Sequence, residues 1–150
     1  MLPTKVRTTW GSITTKAKLP RYSPTEEANN LGIPIVYGHP GEGRLGRWDG
    51  TRIIIRPNQT ARVERSVICH ELIHAIFDEP HFPAVLSPRI EARCDRMAAE
   101  KLIDSDELRE LAQAYPDDPG RVAYELGVTD RILEAYLKAH PEQCFIASAA

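Results

Sequence analysis

The string HELIH at positions 70–74 lies in a stretch, residues 61–77, that contains neither glycine nor proline. On an α-helix the side chains at positions i and i+4 share one face, so His70 and His74 can hold one metal ion while Glu71 reaches a water bound to it. Every other residue from 66 to 77 is apolar or small, and a helix that is apolar on all sides is a buried one. Because unpaired imidazole or carboxylate groups are costly inside a protein, the stretch predicts a buried helix with a metal site. Two core histidines that bond to the backbone are the alternative.

A second helix is predicted after the first, and it supplies a candidate for the third metal ligand. A catalytic zinc ion usually takes three protein ligands and leaves one position for water. A Ser-Pro pair, typical of an N-cap and a first helical residue, opens residues 89–103. Glu91 and Asp95 then lie one turn apart along the edge of its buried face. We interpret Glu91 as the third ligand and Asp95 as the acceptor for the free ring N–H of His70, which would fix the tautomer of that ring.

Other candidates for the third ligand are weaker. A histidine six residues after His74 is excluded because Pro80 stands there, and His81 comes one residue late. Asp78, one turn beyond His74, is the next candidate if Glu91 does not bind metal. In the absence of a metal site, the acidic edge of the second helix would be solvated and would pair with neighbouring arginines.

These two helices resemble those of the ImmA/IrrE family of metallopeptidases. The sequence E-x-x-C-D-x-M-A-A-E-x-L at positions 91–102 is similar to the family pattern that follows its zinc motif, roughly E-x-x-A-N-x-F-A-x-x-L-L-x-P. The resemblance covers most of the chain, since residues 31–36 are similar to the entry strand of the family and residues 125–129 to its C-terminal helical segment. Four positions depart from the family pattern, and none is a proposed ligand: Ile73, Cys94, Met97 and Asp104.

The resemblance implies a zinc-dependent endopeptidase of the gluzincin-like type. Relatives are anti-repressors that cleave, or otherwise inactivate, a helix-turn-helix transcriptional repressor of a prophage, a mobile element or a stress regulon. The implied partner of this chain is therefore a protein substrate, a helix-turn-helix repressor. A zinc enzyme that acts on a small amide is another interpretation of the same site.

The proposed ligands predict the chemistry of the site. Zn²⁺ held by His70, His74 and Glu91 would lower the pKa of its water ligand toward roughly 7. Glu71 would act as the general base and later pass the proton to the departing amine. Zinc is the metal expected from two imidazoles and a carboxylate, although manganese or iron can occupy such a site.

Besides the metal, a second group usually donates a hydrogen bond to the oxyanion of the transition state, and this donor is harder to choose. His81 is the first candidate because it sits in the loop directly after the metal helix, and a surface histidine in a proline-rich loop is an equally good interpretation. Three tyrosines remain open as alternatives: Tyr37, Tyr124 and Tyr136.

Length and patterning predict one domain of the α+β class. A chain of 150 residues can bury a core of its own. We expect a small antiparallel β-sheet packed on the zincin-type active-site helix, followed by a C-terminal helical segment. The divisions are an N-terminal arm or extra strand at residues 1–22, the sheet and zinc-site helices at 23–104, C-terminal helices at 105–140 and a frayed tail at 141–150.

Local signals predict the individual elements. A capping box at residues 23–26 begins a helix that Gly32 ends. A strand follows at residues 33–37, and residues 44–48 and 51–56 form a hairpin across a type I′ turn at Asp49-Gly50. Later helices are predicted from the capping box at residues 104–107 to about residue 115, then at residues 121–126 and 130–139. Gly127 separates the last two, and Thr129 is the predicted N-cap of the final one.

Composition limits the other function classes. The three cysteines show no paired spacing, so neither a disulfide framework nor a zinc finger is indicated. Cys94 is most simply a core residue, and a weaker interpretation makes it a metal neighbour or a redox-sensitive thiol. With no signal peptide or membrane-spanning run, we expect a cytoplasmic protein without membrane contact.

Two questions about partners follow from the sequence. A peptide substrate could pair with an exposed strand edge, supplied either by residues 53–55 or by residues 44–48. The alternative to catalysis is a regulator that binds a repressor or DNA through the helix-turn-helix-like residues 124–133. Direct nucleic-acid binding is not expected, because the net charge is −2 and the second helix of that segment carries few basic side chains.

Overall fold

The computed structural model of the chain describes residues 20–79 and 87–146. Most of the predicted N-terminal arm, residues 1–19, and the candidate His81 therefore lie outside the described residues. The elements in chain order are α1 (Pro24–Asn30), β1 (Ile35–Tyr37), β2 (Gly46–Trp48), β3 (Ile53–Ile55), α2 (Ala61–Ile76), α3 (Pro88–Leu102), α4 (Ser105–Ala114), α5 (Pro119–Leu126), α6 (Asp130–Ala139) and a final 3₁₀ helix (Pro141–Ile146).

The predicted α+β class is confirmed, with one correction to the sheet. Its three strands have the order β1-β3-β2, in which β2 and β3 pair antiparallel but β1 and β3 pair parallel. Residues 38–45 carry the chain past the position that β3 later fills, so β3 returns between the first two strands in the direction of β1. The sheet is therefore mixed, and not wholly antiparallel as the local hairpin signals predicted.

The turn between β2 and β3 also differs from the prediction. A type I′ turn needs positive φ at two consecutive central residues, whereas Gly50, at φ 97°, is the single residue of positive φ among residues 49–52. The Asp49 carboxylate accepts hydrogen bonds from the backbone N–H groups of Thr51 and Arg52, both at 2.9 Å. The type I′ prediction was wrong because this side-chain capping stabilises a different turn.

Helix α2 lies between two hydrophobic cores, which explains why it is apolar on all sides. One face packs with the sheet, where its Ile68 and Leu72 join Trp48, Ile53 and Ile55. The other face, through Cys69 and Ile73, packs with α3 and the C-terminal helices. The prediction of a buried helix is confirmed, and the structure begins it after the N-cap Thr60, whose hydroxyl accepts from Val63 N.

Gly46 allows β2 to lie close against α2. A Cβ built at this position would meet Val67 Cγ1 at 2.4 Å and Glu71 Cγ at 3.2 Å. The Val67 side chain is β-branched and stiff, so it cannot easily move aside. Glycine at position 46 therefore brings the strand within reach of the HELIH segment.

The C-terminal helices α4 and α6 begin as predicted, whereas α5 begins at Pro119, two residues before the predicted start. Asp104, Asp118 and Thr129 are the N-caps of α4, α5 and α6, and Gly127 ends α5 in the left-handed conformation at φ 70°. Helix α6 then packs against α3. The region predicted to be a frayed tail contains the 3₁₀ helix Pro141–Ile146. Across the described ranges, every helix is too short or too polar to cross a membrane.

Candidate metal centre

Two helices bring two imidazoles and a carboxylate to one point. His70 and His74 project from one face of α2, and their Nε2 atoms are 3.1 Å apart. Glu91, in the first turn of α3, directs Oε2 to 3.2 Å from His70 Nε2 and Oε1 to 2.9 Å from His74 Nε2. These are the three residues that the sequence predicted to lie together.

The three donors fit a divalent cation such as Zn²⁺. Donors about 2.0–2.2 Å from a tetrahedral zinc ion lie roughly 3.3 Å from one another, close to the separations at this site. Glu91 Oε1 is buried and has no well-oriented hydrogen-bond donor, although His74 Nε2 lies 2.9 Å away. Lone pairs that converge in this way repel one another unless a proton or a cation lies between them, so the geometry is suited to a metal.

Asp95 lies one turn after Glu91 and contacts the opposite nitrogen of the first histidine. Its Oδ1 is 2.8 Å from His70 Nδ1, so a proton on Nδ1 leaves Nε2 with the lone pair that faces Glu91. Arg131 of α6 donates to Asp95 Oδ2 from Nε at 2.8 Å, and its Nη2 is also 2.8 Å from that oxygen. The C-terminal helix thereby holds the carboxylate that orients the ring.

Glu71, which follows His70 on α2, contacts strand β2 of the sheet. It is 9% exposed, and its Oε2 accepts a 2.9 Å hydrogen bond from Trp48 N on β2. One carboxylate oxygen is thus anchored to the strand by a fixed donor.

The family comparison agrees with this geometry. The family model described as the IrrE N-terminal-like domain, Peptidase_M78, matches residues 28–138. The chain belongs to the Peptidase_M78 family. The resemblance to ImmA/IrrE peptidases is confirmed, and the chain is a metallopeptidase by family, for which a metal is implied. No curated protein and no solved structure matches it.

The Peptidase_M78 match includes the end of α1, the sheet, helices α2 to α5 and most of α6. All the residues around the cluster lie within it, including Arg131, for which the sequence predicted no role at the site. Nothing local to α6 predicts its bond to Asp95, because the two residues are 36 positions apart. A contact of this range depends on how α6 packs against α3.

A second group of side chains surrounds the other nitrogen of His74. Cys94 Sγ is 3.5 Å from His74 Nδ1, and Glu79, buried at the end of α2, forms an ion pair with Arg93. Cys94 is a core residue, as the sequence most simply predicted, and this contact also fits its weaker interpretation as a metal neighbour. The sequence did not indicate Glu79, which follows the last helical turn and has no capping or spacing signal. Burial raises the pKa of the Cys94 thiol to about 11, which argues against the redox-sensitive interpretation because the thiolate is the reactive form.

Other predicted candidates lie elsewhere or outside the described residues. Asp78, the reserve third ligand, is exposed with φ 47° and does not belong to the cluster. The Tyr37 hydroxyl donates to Glu64 at 2.5 Å. Tyr124 and Tyr136 contact other side chains, the first lying against Arg62 and Arg121 and the second stacked on His140.

The metal-free cluster has a strongly shifted protonation. Burial lowers the pKa of His70, but hydrogen bonds to Asp95 and Glu91 outweigh it and raise that pKa to about 9. The adjacent imidazoles of His70 and His74 lower the pKa of Glu91 below its ordinary range. Burial raises the pKa of Asp95, but the bonds from His70 and Arg131 outweigh it and lower that pKa.

We expect the stability of the metal-free protein to fall as pH rises from neutral. The pKa of His70 is about 9 in the folded state against 6.5 for the unfolded chain, so its contribution is complete below 6.5 and is lost as pH rises through 9. The free energy of unfolding should decrease by about 2 kcal/mol between about pH 6.5 and about pH 8.5. Urea unfolding of the chelator-treated protein measures this decrease.

The variant Asp95→Asn is the control for this prediction. It removes the charged acceptor of His70 and should flatten the pH dependence. The two buried cysteines ionise at higher pH in the folded state than when unfolded, and they are present in both proteins. A stability profile with the same slope in Asp95→Asn and in the unaltered protein would contradict the assignment to His70.

Proposed function

We propose that this Peptidase_M78 chain is a zinc-dependent endopeptidase in which His70, His74 and Glu91 hold the ion and Glu71 is the general base. The observation that carries the proposal is the convergence of two ring nitrogens and a carboxylate oxygen within 4.8 Å of one another. This donor set is typical of catalytic zinc, which leaves one position open. Manganese or iron would give the same arrangement with a different ion.

The mechanism assigns separate roles to the side chains around the cluster. A bound Zn²⁺ supplies a Lewis acid and lowers the pKa of a water toward roughly 7. Glu71 accepts the proton of the attacking water as its oxygen adds to the scissile carbonyl carbon, and it donates that proton to the leaving nitrogen when the C–N bond breaks. Its bond from Trp48 N orients the carboxylate, and Asp95 orients the ring of His70.

The sheet order supports β2 as the strand to which a peptide binds. Strand β3 is central and pairs on both sides, so residues 53–55 are excluded as an open edge. Backbone bonds from Arg56 N to Leu45 O and from Asp49 N to Arg52 O join β2 to β3. In an antiparallel pair the backbone N–H and C=O groups of alternate residues point away from the partner strand, so those of Gly46 and Trp48 point away from β3. The N–H of Trp48 donates to Glu71. An extended peptide on this edge would lie beside the general base.

The proposed substrate is a helix-turn-helix transcriptional repressor, and the chain would be the anti-repressor of a prophage, a mobile element or a stress regulon. The similarity to ImmA/IrrE peptidases supports the choice of a repressor as substrate. An exposed linker of the repressor could adopt the extended conformation that pairing with β2 requires. Because such repressors act on intracellular DNA, the proposed location is the cytoplasm.

The experiment is direct incubation of the zinc-loaded protein with purified helix-turn-helix repressors from the same genome. We expect one repressor to be cut at a discrete site, which mass spectrometry of the fragments locates. Addition of a chelator should stop cleavage, and zinc should restore it. Turnover of a dipeptide amide without cleavage of any repressor would instead favour a small-amide hydrolase.

The alternative is a regulator that binds a repressor or DNA without catalysis. The helix-turn-helix-like segment consists of α5, Gly127 and α6, but Ile132, Leu133 and Tyr136 of α6 are buried. Arg131 donates a hydrogen bond to Asp95, which reduces the number of basic side chains on α6 that could face a DNA groove. Repressor binding without fragments, unaffected by substitution of Glu71, would favour this alternative.

A further inference from the structure

The second histidine of the cluster has a buried thiol behind it. Cys94 is fully buried on α3, and its Sγ lies 3.5 Å from Nδ1 of His74. We propose that Cys94 is a positioning residue that accepts a hydrogen bond from His74 Nδ1–H and so orients the ring for metal binding. The inference rests on the proposed function, in which His74 is a zinc ligand.

The direction of this hydrogen bond follows from the two nitrogens of the ring. His74 Nε2 faces His70 Nε2 at 3.1 Å and Glu91 Oε1 at 2.9 Å, so it is the nitrogen available to a metal. A neutral imidazole that ligates through Nε2 carries its proton on Nδ1 and must donate there. His74 is only 3% exposed, and a buried N–H without an acceptor costs about 1–3 kcal/mol.

Sulfur at this position acts as the acceptor, although a thiol is a weak one. Within the described residues, Cys94 Sγ is the hydrogen-bond partner of His74 Nδ1. A thiol can also donate, and the pair could be drawn in reverse with Nδ1 as the acceptor. That tautomer would put a proton on Nε2, facing the metal, and is incompatible with a ligand role for His74.

A second metal site is the competing interpretation of this region. Ligand atoms of His74, Glu79 and Cys94 lie within 4.8 Å of one another and are buried. However, Glu79 already forms an ion pair with the guanidinium of Arg93, which is held over the ring of Phe77 at 4.5 Å. A metal cation would have to displace this positive charge, so we interpret the group as structural and the thiol as a hydrogen-bond acceptor.

The two rings are therefore oriented by different chemistry. His70 bonds to the carboxylate of Asp95, which is itself bound by Arg131, whereas His74 bonds to a neutral thiol. A carboxylate acceptor makes a stronger, charge-assisted hydrogen bond. Removal of the thiol should consequently weaken metal binding by less than removal of Asp95.

The test compares three substitutions at Cys94 in the full chain. Cys94→Ala removes the acceptor and leaves a cavity, Cys94→Val removes the acceptor but fills the space, and Cys94→Ser keeps a side chain that can accept. Cys69→Ala is the matched control, because Cys69 is equally buried and its Sγ donates to Ala98 O at 3.8 Å. Two readouts are used: the zinc dissociation constant by chelator competition, and the Nδ1–H proton of His74 by NMR of the zinc-loaded protein.

We expect Cys94→Ala and Cys94→Val to raise the zinc dissociation constant about tenfold, the lower end of the range for partners of metal-binding histidines. Cys94→Ser should stay within about threefold of the unaltered protein, and Cys69→Ala should not change it. The Nδ1–H resonance should keep the chemical shift of a hydrogen-bonded proton in the serine variant and should move upfield in the valine variant, where the acceptor is missing.

Three results would overturn the inference. They are equal affinity in all Cys94 variants, equal weakening by serine and valine, or the same weakening in Cys69→Ala. If Cys94→Ala does not fold, the serine and valine variants still decide between acceptor and packing roles. Binding of two zinc ions by the unaltered protein, with the second lost in Cys94→Ser, would support the second metal site instead. If the unaltered protein binds no zinc, the proposed function itself fails, which is a separate outcome.

Discussion

Replacement of Glu71 by glutamine is expected to lower kcat for peptide hydrolysis by about 10²–10⁴-fold without loss of metal, the range that general acid–base catalysis contributes. Glutamine has nearly the same shape, and its amide oxygen can still accept the hydrogen bond from Trp48 N that anchors Glu71. What is lost is the ability to take a proton from water. The variant thus separates proton transfer from folding and from metal binding.

The measurement combines single-turnover hydrolysis with metal analysis of the purified variant. Glu64→Gln is the matched control, because Glu64 is a carboxylate two turns earlier on α2 and bonds to the Tyr37 hydroxyl. The control should retain near-normal kcat and full metal content. Undiminished hydrolysis in Glu71→Gln would exclude Glu71 as the base, and loss of metal in that variant would show that it contributes to ligation.

Replacement of Glu91 by alanine is expected to weaken zinc binding by more than about 100-fold, since a direct ligand should exceed the 10–100-fold effect of an outer partner. The two Nε2 atoms of His70 and His74 would remain, but two neutral ligands hold a divalent cation poorly. Hydrolysis should disappear together with the metal. Isothermal titration of the chelator-treated protein with zinc measures the loss.

Asp78→Asn is the control that tests the reserve ligand. Asn tolerates the left-handed conformation that residue 78 adopts at φ 47°, so the substitution should not strain the end of α2. We expect this variant to bind zinc normally. One stoichiometric zinc in Glu91→Ala, together with its loss in Asp78→Asn, would place the third ligand at Asp78 and would remove α3 from the site.

The helices were the most predictable part of the structure, because the signals that begin and end them act over a few residues. Each predicted N-cap, at Ser23, Ser87, Asp104 and Thr129, caps a helix in the structure. The i, i+4 spacing of HELIH places its histidines on one face of any helix. The prediction that Glu91 and Asp95 point inward needed one further step, the preceding HELIH helix, because a solvated acidic edge has the same spacing.

The sheet was predicted less well because strand order is a property of the whole chain. The hairpin of β2 and β3 is local, and its antiparallel pairing followed from the sequence. The insertion of β3 between the other two strands is not local, and it makes the β1 pairing parallel. It also leaves β2 at the edge beside Glu71, a choice that the strand sequences alone left open.

By itself the sequence determined the positions of the helices and the identity of the ring nitrogens and carboxylates that meet at one point, because caps, helical periodicity and the HELIH spacing are all short-range. Only the tertiary structure decided the partners of those groups: Trp48 for Glu71, Cys94 for His74, and Arg131 for Asp95. Each of these contacts joins two elements distant in the chain. Such contacts depend on how closely whole helices and strands pack, which no local pattern encodes.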